Sequence, residues 1–509
     1  MSKEVLPPGW AIETLGRACE VLQGQSPPSS AYNSDGRGLP FYQGKTEFGP
    51  LYPSPVKWCT EPVKVAHAGD VLISVRAPVG PTNLCRERSC IGRGLAAIRP
   101  PAGITSRYLL YALRRQEATI AEQGTGSTFA AISGDVLRSI RLRFAPFAEQ
   151  ERIVAAIEEK FTHLDSAIAA LKRVQANLKR YRAVMLHLAC KGELVPTEAE
   201  LARAEGRVYE SASVLLKRIQ NERRQRENQI ADVEVGSEQQ NTSELPRLPE
   251  GWVWTRIGTV GEVYVGATPS RSQPDYWDGD IPWVSSGEVA FSRIRTTRET
   301  ISEAGLQNSS TRLHPPGTVL IGMIGEGKTR GQVAILEVEA CNNQNCAAIR
   351  CPKGQLSSEF VYHFLASQYE ANRRVGSGNN QPALNKSRVE SFLLPLPPYA
   401  EQVRIAAEVE RRLSIIQGVE TTVEADLHRA ERLRQSILKR AFEGKLVAQD
   451  PNDEPAGVLL ERIRAERAAT TPERKVRRGR KQTEPVGASG RPADWQHSSA
   501  AEPNEHGSL

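Results

Sequence analysis

From Glu149 the apolar residues fall at Ile153, Ile157, Phe161, Leu164, Ile168, Leu171, Val174, Leu178, Tyr181, Met185 and Leu188, in steps of three and four. That spacing lays a stripe along one side of a helix, as a coiled-coil seam requires. A second stripe opens at Glu401 and runs through Ile405, Val409, Leu413, Ile416, Val419, Val423, Leu427, Ala430, Leu433 and Ile437. No proline interrupts either run, and Gly192 and Gly444 stand where a glycine stop ends a helix. Each run predicts a helix of about 40 residues, on the order of 60 Å at 1.5 Å per residue. A lone amphipathic helix of that length cannot bury its own stripe. The economical partner is the other copy, giving an antiparallel pair of coiled-coil helices with a globular domain at either end.

Elsewhere the pattern changes period. Short β-rich runs such as Val71–Val75, Val319–Ile321 and Gln332–Leu336 alternate with Gly, Pro, Asn and Ser, and helical stretches are predicted over Ser106–Glu122 and Ser357–Arg373. The expected fold class is α+β: two globular domains separated by two long helices, in an internal tandem repeat with pseudo-twofold symmetry. The expected boundaries are a first globular domain at 1–145, a long helix and a short one at 146–228, and a polar linker at 229–245. A second globular domain follows at 246–397, then a distal helical region at 398–469 and a basic tail without fixed structure at 470–509.

The repeat is carried by words as well as by period. Leu6-Pro7-Pro8-Gly9-Trp10 returns as Leu248-Pro249-Glu250-Gly251-Trp252, and Pro146-Phe147-Ala148-Glu149-Gln150-Glu151-Arg152-Ile153 as Pro398-Tyr399-Ala400-Glu401-Gln402-Val403-Arg404-Ile405. Leu39-Pro40-Phe41 matches Ile281-Pro282-Trp283, and Ala96-Ala97-Ile98-Arg99 matches Ala347-Ala348-Ile349-Arg350. Val214-Leu215-Leu216 and Val458-Leu459-Leu460 mark a shorter helix after each long one. A molecule built from two such copies is suited to reading two similar things at a fixed separation.

Composition narrows the picture. A chain of 509 residues holds several domains. No segment approaches the roughly 20 apolar residues of a membrane helix, and the N-terminus lacks a secretory stretch, so a cytoplasmic location is expected. Net charge is +7 and the sequence pI about 8.9, which favours a polyanionic partner. Part of that excess lies in the run Arg474–Lys481. Cys341, Cys346 and Cys351 are evenly spaced but have no nearby histidine or C-x-x-C pair, so they read as structural thiols and no metal site is expected.

Two motifs suggest enzymes. Gly322-Met323-Ile324-Gly325-Glu326-Gly327-Lys328-Thr329 fits a phosphate-loop pattern, which needs a helix opening at the Lys-Thr pair. The next residues, Arg330-Gly331-Gln332-Val333-Ala334-Ile335-Leu336, read instead as turn then strand. Pro397-Pro398-Tyr399 is the core of an amino-methyltransferase motif, yet Leu396 stands where a polar hydrogen-bonding residue is required. No Ser/His/Asp set or carboxylate cluster stands out, so no catalytic residue is assigned.

The order of two globular domains opening Leu-Pro-x-Gly-Trp, each followed by a helix opening Pro-aromatic-Ala-Glu-Gln-x-Arg-Ile, resembles the specificity subunit of type I restriction-modification systems. Lys191-Gly192-Glu193-Leu194-Val195 and Gly444-Lys445-Leu446-Val447 at the helix ends strengthen the likeness, which covers residues 6–468. The resemblance implies a non-catalytic subunit whose globular units are target-recognition domains, each reading one half of a split sequence in double-stranded DNA. It implies that the helices set the spacing and dock the methyltransferase (modification) subunits, two being the simplest number, with restriction/translocase subunits joining. S-adenosylmethionine, ATP and magnesium are then expected on those partners and no cofactor on this chain.

Recognition needs cations for phosphates and forked or amide side chains for base edges. Candidates in the first domain are Gln43, Lys45, Arg76, Asn83, Arg86, Arg88 and Arg93, with Ser127 and Thr128 in a Gly-flanked turn. In the second they are Arg293, Arg295, Lys328, Thr329, Arg330, Gln332, Asn342, Asn343, Gln344 and Asn345, with Asn379, Asn380 and Gln381 in the matching turn. The Lys328-Thr329-Arg330 loop is the foremost candidate. The alternatives are a stand-alone nucleotide-binding or methyltransferase enzyme, and a coiled-coil scaffold whose globular ends bind protein.

Overall fold

The computed structural model of the chain describes residues 6–125, 130–227, 245–324, 328–374 and 384–470. The expected linker, but for Leu245, and the tail after Thr470 lie outside the described residues. These fall into two compact units, one drawn from Met1–Val154 with Ala441–Leu509, the other from Ala155–Arg440. Both mix sheet and helix, as the alternating periods predict. Among the described residues no helix is long and apolar enough to cross a membrane.

The first unit carries a four-stranded sheet in the order Glu20–Gln23, Leu95–Arg99, Val71–Ser74, Thr82–Leu84. Beside it a five-stranded sheet runs Tyr32–Asn33, Lys57–Cys59, Leu39–Tyr42, Ser89–Ile91, Val65–Ala66. Val71–Ser74 is buried throughout, which is why it reads as a continuous apolar run rather than an alternating one. The second unit repeats the plan with Glu262–Val265, Cys346–Arg350, Val319–Gly322, Val333–Leu336 and Ser292–Ile294 in one sheet. A smaller sheet holds Glu299–Ile301, Trp277–Val284 and Cys341–Asn342.

Two helical expectations need correction. The stretch 106–122 is two helices, Ser106–Arg115 and Glu117–Glu122, because Gln116 leaves helical geometry at φ −102°, ψ 7°. The stretch 357–373 breaks in the same way at Gln368, into Ser358–Ser367 and Tyr369–Arg374. The break recurs at the same place in the repeat, so the turn belongs to the domain plan.

The long helices are Phe147–Lys191 and Tyr399–Phe442, of 45 and 44 residues. Gly192 and Gly444 follow them at φ +73° and +69°, and an added Cβ at Gly192 would meet Pro249 and Trp252 at under 3 Å. Within the second unit the helices lie side by side. Arg434 pairs with Asp165 and covers the Phe161 ring at 4.4 Å, and Arg182 pairs with Glu420 at 3.1 Å. Later residues of one helix therefore meet earlier residues of the other. Phe161, Leu164, Met185, Ile416, Val423 and Ala430 are buried, whereas Val174, Tyr181 and Val419 are exposed. The predicted stripe is thus covered over part of its length and open at several positions, Leu433 near the end of the second helix among them.

The two repeated words turn out to bind each other. In the first unit the Trp10 indole donates to the Glu149 carboxylate at 3.0 Å, and Gln150 clasps the backbone through Thr105 N, Gly103 O and Ala145 O. In the second unit Trp252 donates to Glu401 at 2.9 Å, and Gln402 makes the matching contacts with Ser357 N, Gln355 O and Pro397 O. Burial pushes both carboxyls above their ordinary range, and the indole donors work against that shift.

The short helices settle where the sequence order does not suggest. Ala212–Glu227 packs in the second unit, with Ala212 N donating to Gly251 O at 2.8 Å and Leu215 and Ile219 buried. Ala456–Thr470 packs in the first unit, with Ala456 N on Gly9 O at 2.8 Å and Leu459, Leu460 and Ile463 buried. Each copy's short helix therefore folds with the globular domain of the other copy.

Candidate nucleic-acid interface

In both globular domains the chain brings the same five segments to one corner. In the first, Gln25 N donates to Ile91 O, Gly92 N to Tyr42 O, Val75 N to Gly94 O and Ile132 N to Val75 O, all within 3.0 Å. Ser26 Oγ accepts from Arg93 N at 3.3 Å. In the second, Ala267 N donates to Asn342 O, Asn343 N to Val284 O, Met323 N to Asn345 O and Leu384 N to Met323 O, again within 3.0 Å. Backbone amides and carbonyls close the corner, which leaves its side chains to differ between copies.

They do differ. Exposed Gln43, Lys45, Arg76 and Arg93 gather at the first corner. At the second, exposed Ile324 takes the place of Arg76, and exposed Gln344, held by the Thr268 hydroxyl, takes that of Arg93. Thr329 and Arg330 are half-buried and Lys328 is exposed in the segment leading back to strand Val333–Leu336, with Tyr369 Oη donating to Lys328 O at 2.7 Å. No helix opens at Lys328-Thr329, so the backbone that a phosphate loop needs is not built there. Pro397, Pro398 and Tyr399 likewise serve as the start of the second long helix.

Other candidates sit elsewhere. Arg86 and Arg88 lie on a turn at the far end of strand Val71–Ser74, with Arg86 over the Tyr52 ring at 5.9 Å. Arg295 is exposed and pairs with Glu337, and Arg293 pairs with Glu337 and Glu410. Gln332 and Asn345 are half-buried. Three amides require correction as base readers. Asn83 is 1% exposed and clasps Gly49 through both its amide atoms. Asn342, also 1% exposed, donates to Asn343 O and Cys346 O, and buried Asn343 accepts from Asn345 N. Their polar composition shapes the corner from within. Ser127, Thr128, Asn379, Asn380 and Gln381 lie outside the described residues.

Ser26 and Thr268 were not singled out by sequence reasoning. Each stands two residues after an aligned glycine, Gly24 and Gly266, so the repeat carried a signal for them. Among the described residues no cluster of three or more His, Cys, Asp or Glu is gathered for a metal. Burial pushes Cys346 and Cys351 up to about 12 and Cys341 up to about 11, which suits inert core thiols.

Comparison with known proteins agrees with this plan. The type I restriction modification DNA specificity domain matches twice, over residues 7–180 and 249–424. The EcoDI specificity subunit of Escherichia coli is 25% identical over 484 residues, 92% of this chain and 98% of that protein. The putative MjaX specificity subunit of Methanocaldococcus jannaschii is 36% identical over 192 residues, 37% of this chain and 44% of that protein. Among solved structures, a chain from work on assembly and conformational transition of the type I R-M system aligns with a TM-score of 0.59 at 19% identity, over 87% of this chain and all of that one. The HsdS subunit of Thermoanaerobacter tengcongensis aligns at 0.51 and 19% identity, over 87% and 99%. These two show a shared fold. With the domain matched in both halves, the chain belongs to the family of type I restriction-modification DNA specificity subunits.

Proposed function

We propose that this chain reads a bipartite DNA target, one half with each five-segment corner, and performs no chemistry itself. Family membership makes it a DNA specificity subunit of a type I restriction-modification system. The single observation that carries the two-part reading is the recurrence of one backbone corner with different outward side chains: Arg76 and Arg93 in one copy, Ile324 and Gln344 in the other. A common frame with exchanged side chains suits two half-sites of different sequence.

The long helices, read as an antiparallel coiled coil, would act as the spacer between the half-sites. Successive sites on one face of B-DNA recur about every 34 Å, a distance that a helix of this length can bridge. The tandem repeat implies two equivalent docking surfaces, hence two methyltransferase subunits, with restriction/translocase subunits completing the complex. S-adenosylmethionine, ATP and magnesium would reside on those partners. A cytoplasmic location belongs to the same reading.

The test is single-molecule methylation mapping of host DNA with the methyltransferase alone and with both proteins co-expressed. A split motif methylated only in the presence of this chain is expected. The same marks from the methyltransferase alone would refute the reading.

A further inference from the structure

We infer that the outer face of the first long helix, from about Ala169 to Lys191, is a phosphate-binding track for duplex DNA, an interaction that rests on the DNA-reading function proposed above. Between Asp165 and Glu193 the sequence contains no Asp or Glu. Lys172 and Lys179 are seven residues apart, as are Arg173 and Arg180, so the four cations share one face two turns long. Ala176 lies between them and Ala183 continues the same face just beyond Arg180, and all six residues are exposed. The opposite face holds half-buried Leu171 and Leu178 and buried Met185, and carries the Arg182–Glu420 pair. The cationic face therefore points away from the second helix.

Three further observations separate this face from an ordinary solvated one. Lys172, Arg173, Lys179 and Arg180 have no carboxylate partner among the described residues, whereas Arg182, Arg411, Arg412, Arg429 and Arg434 on the same helix pair each have one. The matching positions of the second copy read Glu424, Ala425, Glu431 and Arg432, so a mixed-charge surface satisfies this helix equally well. The face also leads toward the second corner's surroundings. At its end Cys190 Sγ lies 3.3 Å from Ser367 Oγ, and two residues further on Tyr369 holds the Lys328 carbonyl.

The chemistry favours phosphates over an acidic protein. Protein interfaces are enriched in aromatic anchors and depleted in Lys at their centres, and this face is mostly Lys, Arg, His187 and alanine. Small Ala176 leaves room for a backbone to approach the helix between the cations, and Ala183 does the same beside Arg180. From Ala169 to Lys191 the track is about 33 Å long at 1.5 Å per residue, close to one turn of B-DNA. Such contacts carry no sequence information; they add affinity and salt dependence.

The test uses this chain assembled with its methyltransferase subunits and a random-sequence duplex of roughly 40 base pairs, titrated from about 50 to 200 mM salt. In the variant K172Q/R173Q/K179Q/R180Q, affinity is expected to fall about tenfold or more. The log–log salt slope should become shallower by about 2 to 4, at roughly 0.9 for each phosphate no longer neutralised. The variant A176E/A183E, which keeps every cation, should weaken binding in the same direction. Wild-type affinity and slope in both assembled variants would overturn this inference alone. So would loss of methyltransferase binding by variants of unchanged helix content, which would assign the face to a protein. A wild-type complex that binds no duplex would overturn the DNA-reading function, and this inference with it.

Discussion

Glu410 ties the second globular domain to its long helix through one carboxylate. It accepts from His363 Nε2 at 2.9 Å and pairs with Arg293, which in turn reaches Glu337. The His363 hydrogen bond, with help from Arg293 and against the cost of burial, holds its pKa at about 2. Because that lies below the ordinary 4.5, the stabilisation is complete above the ordinary value and is lost as pH falls toward 2. Thermal unfolding from about pH 5 to pH 3 should therefore show a steeper loss in wild type than in Glu410→Gln, by about 1 kcal/mol given the solvent exposure of this group. Equal slopes would remove Glu410 from the joint. At this scale the sequence was hard to read. The pair Arg293 and Arg295 looked like phosphate ligands because the acidic partners Glu337 and Glu410 are 44 and 117 residues from Arg293. Asn83 and Asn342 looked like base readers because nothing in composition distinguishes an exposed amide from one that satisfies a buried backbone.

At the scale of elements, period was the reliable guide. Steps of three and four over some forty residues cannot be satisfied by any other local structure, so both long helices and their glycine stops were legible. Where the short helices pack was not. The helix Ala456–Thr470 follows the second long helix in sequence yet completes the first unit: Leu459 covers Gly103, Arg464 pairs with Glu13, and Arg467 reaches the carbonyls of Gly16, Arg17 and Cys19. Burying Leu459, Leu460 and Ile463 stabilises the first unit by on the order of 5 kcal/mol, at about 1.5 to 3 per side chain. Truncation after Pro455 should raise amide exchange across the strands near Glu20–Gln23 and Leu95–Arg99 while leaving the second globular domain protected. Uniform protection, or loss spread equally over both domains, would contradict that assignment.

At the scale of the molecule, the two globular domains have separate cores. One cluster gathers Tyr42, Leu72, Ile91 and Leu95; another gathers Val319, Ile335, Ile349 and Phe360. Separate cores let one corner be altered without disturbing the other. The double variant Thr268→Ala, Gln344→Ala should relax base preference in one half of the methylated motif, by roughly tenfold or more for removal of an amide from the base edge. The other half should stay unchanged in the methylation map. Degeneracy in both halves would mean that the corners do not read independently.

The sequence alone determined the tandem repeat, the α+β class of each globular domain, the two long helices and the family, because all of these are written in local period and in words that recur. Tertiary structure decided which short helix completes which domain, which amides are buried, and which arginines are engaged by carboxylates. It also showed that Leu-Pro-x-Gly-Trp and the Ala-Glu-Gln helix opening are two sides of one clasp. Such pairings join residues tens to hundreds of positions apart. Their energy comes from desolvated hydrogen bonds and packing formed only once the chain has closed on itself.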